Sequence, residues 1–274
     1  MATGQIAELV AQRLRAESAR MRAEFERPRI GRTRYTLVDD VLPLDLARRI
    51  YDAFPATGDM RLMSSFREQK YTSKALERMN PLMHDALFAF QAPEVIAAVT
   101  AITGMRDMVG DPKLYAGGLS AMTRGQFLDP HIDNSHDGEG RLYRVLNLLY
   151  YVTPDWRAEN GGNLELWDEA VRERVELHSK FNRLVLMETN QKSWHSVNQV
   201  AAEGKRCCVS NYYFSPHSPN GVEVSHITFF SGRPEQPLRR LLAAADGHAR
   251  TLLRRVVKRG LAKEDVYRGK EPRS

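Results

Sequence analysis

The chain has 274 residues, 42% of them hydrophobic and 27% charged, with a net charge of +6. Such a composition describes an ordinary globular protein able to bury a core without staples, and excludes collagen-like and disordered classes. Cys207 and Cys208 are the only cysteines, and their adjacency excludes a disulfide framework, so a reducing compartment fits best. The sequence contains no uninterrupted run of 18 apolar residues, so no membrane span is expected, and the charged N-terminus lacks the apolar stretch of a signal peptide. The expected location is cytoplasmic.

In chain order, Ile6, Leu9, Val10 and Leu14 fall near helical spacing and predict an amphipathic helix over 4–25. "YTLVDDVLP" (35–43) reads as a strand ending in a turn at Pro43, followed by a helix over about 44–54. Asn80-Pro81 pairs an N-cap with proline at the first helical position, opening a helix to about Ala89. Pro93 repeats the device, and Gly104 ends that helix. From Met108 the pattern changes. "GGLSAMTRGQFL", "RVLNLLYYVTP", "GGNLELWD", "RVELHS", "NRLVLME", "SWHSVNQV" and "KRCCVSNYYFS" are short β-type segments separated by turn formers, as in a sandwich or barrel. "SHITFFSG" (225–232) adds a further candidate strand. The end of the chain returns to helix, with Leu252, Leu253, Val256 and Val257 opposite Arg250, Arg254, Arg255 and Lys258.

Three regions result: an N-terminal helical and strand region (1–107) packing on the core, a β core (108–232), and a basic helical tail (233–274). From Ser231 onward the chain holds 12 Lys and Arg against 5 Asp and Glu, so the tail carries all of the positive excess. A solvated helix face accounts for it. Interleaved aromatics for nucleic-acid stacking are absent there, and nucleic acid is not an expected partner. Nothing in the sequence speaks to oligomeric state.

The chemistry concentrates in "DPHIDNSHDGEG" (129–140). Alone, such a run is as consistent with turns as with a metal site. In an extended segment residues i and i+2 share a side, so His131 and Asp133 are able to converge on one ion. A third ligand has to come from elsewhere, and His195 and His136 are the candidates. His84 and His248 fall in predicted helices, and His178, His217 and His226 read as surface or hydrogen-bonded residues. Two histidines and a carboxylate form the facial triad of non-haem Fe(II) oxygenases, although zinc hydrolases use similar sets. The cations Lys205 and Arg206, ten and eleven residues after His195, favour the oxygenase. A hairpin would bring one of them beside the site, where a 2-oxo acid needs a planar fork for its far carboxylate.

From about Gly117 to Phe214 the stretches "HIDN", "RVLNLLYYVTPDW", "GGNLELWD", "FNRLVLMETNQKSWHSV" and "RCCVSNYYF" occur in an order that resembles the prolyl-4-hydroxylase-like 2-oxoglutarate/Fe(II) dioxygenases, near the branch of the hypoxia-sensing prolyl hydroxylases and bacterial relatives. The resemblance implies a mainly β fold with flanking helices (α+β), its core a double-stranded β-helix of jelly-roll or cupin type. It implies His131, Asp133 and His195 as iron ligands and Arg206 as the partner of the far carboxylate of 2-oxoglutarate. Tyr151 matches a tyrosine that shares that carboxylate, and alternation puts Asn147, Leu149 and Tyr151 on one pocket-facing row. The implied cofactors are Fe(II), 2-oxoglutarate and O2, with ascorbate supportive. The implied activity is hydroxylation of an unactivated C–H bond with release of succinate and CO2. A prolyl residue of a protein or peptide is the favoured substrate; the alternative is a small metabolite, amino-acid derivative or glycan. The chain departs from its relatives at Met122, where a tyrosine is frequent, at Cys208, where serine is frequent, and in a longer loop over Asn134–Arg141.

Overall fold

The structure is a computed structural model that describes residues 2–27, 33–73, 79–219, 221–223, 225–236 and 240. Most of the tail, including His248 and the helix expected there, lies outside the described residues. The elements in order are α1 (Thr3–Glu26), β1 (Tyr35–Val38), α2 (Leu44–Asp52), β2 (Arg61–Ser64), β3 (Gln69–Thr72), α3 (Pro81–Ala89), α4 (Pro93–Thr103), β4 (Gly118–Thr123), β5 (Leu128–Ile132), β6 (Tyr143–Tyr151), β7 (Leu164–Trp167), β8 (Arg174–Leu177), β9 (Arg183–Glu188), β10 (His195–Val197), β11 (Lys205–Ser215) and β12 (Phe229–Phe230).

The strands form two sheets. A seven-stranded sheet runs β1-β9-β6-β11-β4-β3-β2, and a five-stranded sheet runs β12-β5-β10-β7-β8. All the pairings are antiparallel. The two sheets face each other as the double-stranded β-helix that the sequence suggested. The N-terminal region contributes to this core directly, because β1 pairs with β9 and β3 with β4.

The helices cover the outer face of the large sheet. Helix α1 buries Ile6, Val10, Leu14, Met21 and Phe25 against α3, α4 and β1. Burying each such side chain contributes about 1.5–3 kcal/mol, which is what holds the long helix to the sheet. The same cover explains the almost unbroken apolar run of β6. Leu146, Leu148 and Tyr150 join the helix-side core, while Leu149 and Tyr151 belong to a second cluster between the sheets. A strand buried on both faces has no polar side to show.

Local chemistry sets the helix ends. Asn80 accepts a hydrogen bond from the Leu82 amide at 2.9 Å with Pro81 opening α3, and Gly104 closes α4 at φ 69°. Together α3 and α4 are long and apolar enough to cross a membrane by composition. Here they are two separate helices, and half of that window is buried in the protein. The β2–β3 hairpin was not anticipated. "RLMSSFREQKYT" shows no apolar alternation, because the hairpin lies at a sheet edge with Leu62, Met63 and Phe66 exposed.

Candidate active site

His131 is the last but one residue of the fully buried β5, Asp133 follows that strand, and His195 opens β10. In the ladder between these strands, His131 and His195 stand directly opposite each other. Their rings lie 4.1 Å apart. His131 Nε2 is 3.7 Å from Asp133 Oδ1, and His195 Nε2 is 3.7 Å from Asp133 Oδ2. One donor atom from each of the three residues lies within 4.8 Å of the others.

Both histidines are oriented by backbone carbonyls. His131 Nδ1 is 3.0 Å from the Asp129 carbonyl, and His195 Nδ1 is 2.9 Å from that of Ser193. A proton on each Nδ1 leaves both Nε2 atoms free to bind a cation, the usual support for ligating imidazoles. Burial, helped by the neighbouring His195, pushes the His131 pKa down to about 3, so the ring is neutral. Burial would raise the Asp133 pKa, but Arg144, His195 and His131 outweigh it and hold the carboxyl at about 2. A neutral His131 imidazole beside a carboxylate suits a divalent cation.

The remaining candidates separate. His136 turns away, with Nδ1 2.7 Å from Ser135 Oγ and its ring 4.4 Å from Tyr143. His178 reaches the Trp156 carbonyl, His217 pairs with Asp107, and His226 lies by the Ile227 carbonyl.

A cavity of about 470 Å³ opens from these residues into the barrel and is lined by His131, Asp133, His195 and Arg206 among others. Arg206 is buried in its wall. Its Nε donates to the Gly162 carbonyl at 2.9 Å, and its guanidinium lies 4.9 Å from the Tyr151 ring centre. Lys205 faces the other way and donates to the Phe54 and Pro55 carbonyls. Asn147 and Leu149 line the cavity. Tyr151 is fully buried beside Arg206 and packs with Leu164, Leu166, Val185 and Met187. Burial raises its phenol pKa well above the ordinary value.

The sequence reading missed Arg144. Alternation along β6 puts it on the opposite face from Asn147, but the register with β11 shifts between Tyr213 and Phe214. That bulge turns Arg144 into the cavity. Its Nη1 lies 3.4 Å from Asp133 Oδ1, and its guanidinium is 4.4 Å from the Tyr212 ring centre.

Residues 117–214 match the model of the 2OG-Fe(II) oxygenase superfamily. That match covers 98 of the chain's 274 residues. Over 99 residues, 36% of the chain, it is 27% identical to Egl nine homolog 1 of Rattus norvegicus, covering 28% of that protein. The same identity holds for the Homo sapiens protein, of which 22% is covered, so the chain spans less than a third of the length of these curated relatives. Among solved structures, a Pseudomonas putida prolyl-4-hydroxylase superposes with a TM-score of 0.52 at 15% identity, covering 74% of this chain and 98% of that one. A Phytophthora capsici prolyl 4-hydroxylase gives 0.50 at 15% identity, covering 92% and 80%. These likenesses establish the double-stranded β-helix fold.

The superfamily's metal and cosubstrate, Fe(II) and 2-oxoglutarate, fit the residues present. Asp133 Oδ2, Asn147 Oδ1 and the Tyr151 hydroxyl are buried with no hydrogen-bond partner. An uncompensated buried carboxylate oxygen is costly, and a cation between it and the two imidazoles removes the cost. Arg206 provides the fixed planar donor that a dicarboxylate requires in the wall of the cavity.

Proposed function

We propose that this chain is a dioxygenase that uses Fe(II) and 2-oxoglutarate to hydroxylate an unactivated C–H bond, with a prolyl residue of a protein or peptide as the substrate. The observation that carries the reading is the placement of His131, Asp133 and His195 at one part of a single cavity and of buried Arg206 at another. A hydrolytic metal site has no use for the second element. Fe(II) with 2-oxoglutarate, when bound, supplies the oxidising power by coupling decarboxylation of the 2-oxo acid to use of O2.

The chain's own residues bind, orient and shield. His131, Asp133 and His195 would hold the metal on one side and leave the other open to ligands. Arg206 would hold the far carboxylate through its guanidinium N–H donors, with the Tyr151 ring 4.9 Å away keeping the guanidinium in place. Arg144 sits against Asp133 and restrains its carboxylate. Met122, Leu128, Leu149, Leu164 and Val197 add apolar wall to a cavity otherwise lined by polar groups.

Two features support a peptide substrate. Prolyl-4-hydroxylases share the fold, and the β2–β3 hairpin at the cavity rim exposes Leu62, Met63 and Phe66, apolar area suited to an extended chain. The test is incubation with Fe(II), 2-oxoglutarate and ascorbate, offering peptide pools and a metabolite extract in parallel, followed by mass spectrometry. A gain of one oxygen atom on proline is expected. The same gain confined to a small molecule or sugar would replace the peptide reading, and no product in either arm would remove the enzymatic one.

A further inference from the structure

The segment that follows β11 returns to the small sheet and adds β12 as its edge strand, next to the strand that carries His131. Phe229 and Phe230 pair with Ile132 and His131, and the Ser231 amide donates to the Pro130 carbonyl at 2.8 Å. The Phe230 ring lies 5.3 Å from the His131 ring at an interplanar angle of 22°, and Arg67 packs 4.9 Å from the centre of Phe230. Arg233 then turns inward and is buried. Its Nη1 is 2.6 Å from Glu165 Oε2, its Nη2 donates to the Val197 carbonyl at 3.2 Å, and its Nε is 4.0 Å from Asp129 Oδ1.

One guanidinium therefore spans three strands. Asp129 lies on β5, two residues before His131, and its carbonyl is the one that orients the His131 ring. Glu165 lies on β7. Val197 lies on β10, two residues after His195. The register of β5 against β10 shifts between His195 and Val197. This bulge lets Leu128 and His131, three residues apart, both face the cavity. Ser196, between two cavity-lining residues, points outward, where its hydroxyl donates to Glu165 Oε2 at 2.5 Å and accepts from Trp167 Nε1 at 2.7 Å.

Two buried carboxylates, Asp129 and Glu165, meet two arginines, Arg233 and Arg174, the latter 2.9 Å from Glu165 Oε1. Removing Arg233 takes away the cation 2.6 Å from buried Glu165 Oε2 and the donor to the Val197 carbonyl, and losing one partner of a buried ion pair is strongly unfavourable. The strands relieve this by separating and admitting water, and the ones that separate carry His131 and His195.

We propose that Phe229–Arg233 is a strap that positions the metal centre, with Arg233 as a positioning residue that locks β5, β7 and β10 at the spacing His131 and His195 need. The inference rests on the reading of His131, Asp133 and His195 as an iron site. Partners that orient metal ligands typically change metal affinity 10–100-fold when lost.

The experiment is an anaerobic titration of the full chain with Fe(II) in the presence of 2-oxoglutarate, read by visible absorption, with thermal unfolding measured beside it. Arg233→Gln should weaken Fe(II) binding at least about tenfold, and Arg233→Lys should recover part of the loss. Arg34→Gln breaks a comparable ion pair with Glu188, away from the site, and should lower Tm while leaving Fe(II) affinity unchanged. A variant Arg233→Gln that loses Tm but binds Fe(II) like the wild type would overturn the proposal. So would an Arg34→Gln variant that loses as much affinity. Should Arg233→Gln fail to fold, Phe230→Leu decides, since it removes only the ring against His131; unchanged affinity there would reject the strap. A wild-type chain that binds no Fe(II) would reject the iron site itself, whereas tight binding by the wild type and all variants rejects the strap alone.

Discussion

Arg206 and Lys205 are neighbours in β11 and stand on opposite faces of the large sheet. Arg206 is buried in the cavity with its Nε on the Gly162 carbonyl, and Lys205 reaches across the helix side to the carbonyls of Phe54 and Pro55. Only one of two adjacent cations on a strand faces a given side.

The pair gives a direct test of the cosubstrate site. Arg206→Ala should weaken 2-oxoglutarate binding by at least about tenfold, since a charge-assisted bond contributes roughly 1.5–3 kcal/mol. Lys205→Ala should leave that affinity nearly unchanged and lower Tm, because it loses only the tie to the segment after α2. Tyr151→Phe should cost less than the arginine, as a neutral donor contributes about half as much as a charged one. Anaerobic calorimetry of 2-oxoglutarate into the metal-loaded variants measures all three.

The metal site predicts a spectroscopic pattern. Mixed without oxygen with Fe(II) and 2-oxoglutarate, the protein should develop the weak visible absorption of a chelated 2-oxo acid. His131→Ala and His195→Ala should abolish it. His136→Ala should retain it, because that ring is engaged by Ser135 and Tyr143. Loss in the His136 variant alone would mean that the donor set is wrongly assigned.

Gly161 is the backbone position on which the seat of Arg206 depends. It holds φ 72° and ψ −165°, a conformation open to glycine, and a Cβ there would lie 2.1 Å from the Gln199 carbonyl oxygen. Gly161→Ala should destabilise the fold by at least about 2 kcal/mol, from backbone strain and the clash together. Because the next residue, Gly162, accepts the Arg206 Nε hydrogen bond, 2-oxoglutarate affinity should fall as well. Denaturant midpoints and the calorimetric titration would show both effects, and an unchanged midpoint would contradict the geometry.

Acid stability should report on Asp39. Burial alone would raise its pKa, but Arg183 and Lys180 hold it down to about 2, joining the end of β1 to β9. A depressed carboxylate contributes stability that is present above its unfolded value near 3.8 and is lost as pH falls through about 2. Asp39 is partly solvated, so the contribution is no more than about 1 kcal/mol. Asp39→Asn should lower Tm at pH 7, and the gap to wild type should close between pH 4 and pH 2. A gap that stays constant through that range would show that packing, not the ion pair, is responsible.

Much of this protein was determined locally and was therefore legible in the chain. Asn80-Pro81, Pro93 and Gly104 mark helix ends because caps and proline act within one turn. The β6 run announces a strand covered on both faces, and "HID" announces two donors on one side because neighbouring residues settle that geometry. The spacing from His195 to Arg206 and the order of the motifs pointed to the oxygenase core. Tertiary structure decided the rest. Simple alternation misplaces Arg144 and Asp129, because bulges opposite β11 and β10 change which side their strands present, and a bulge depends on the partner strand. Arg233, a hundred residues from Asp129, shows no local pattern at all; its burial follows from two carboxylates that only the assembled small sheet brings together. Tyr151 has the parity of a pocket residue, and its full burial beside Arg206 follows from its packing with Leu164 and Val185, which no local pattern shows. Periodicity reports which way a side chain points along its own strand, whereas depth is set by what the other sheet places opposite.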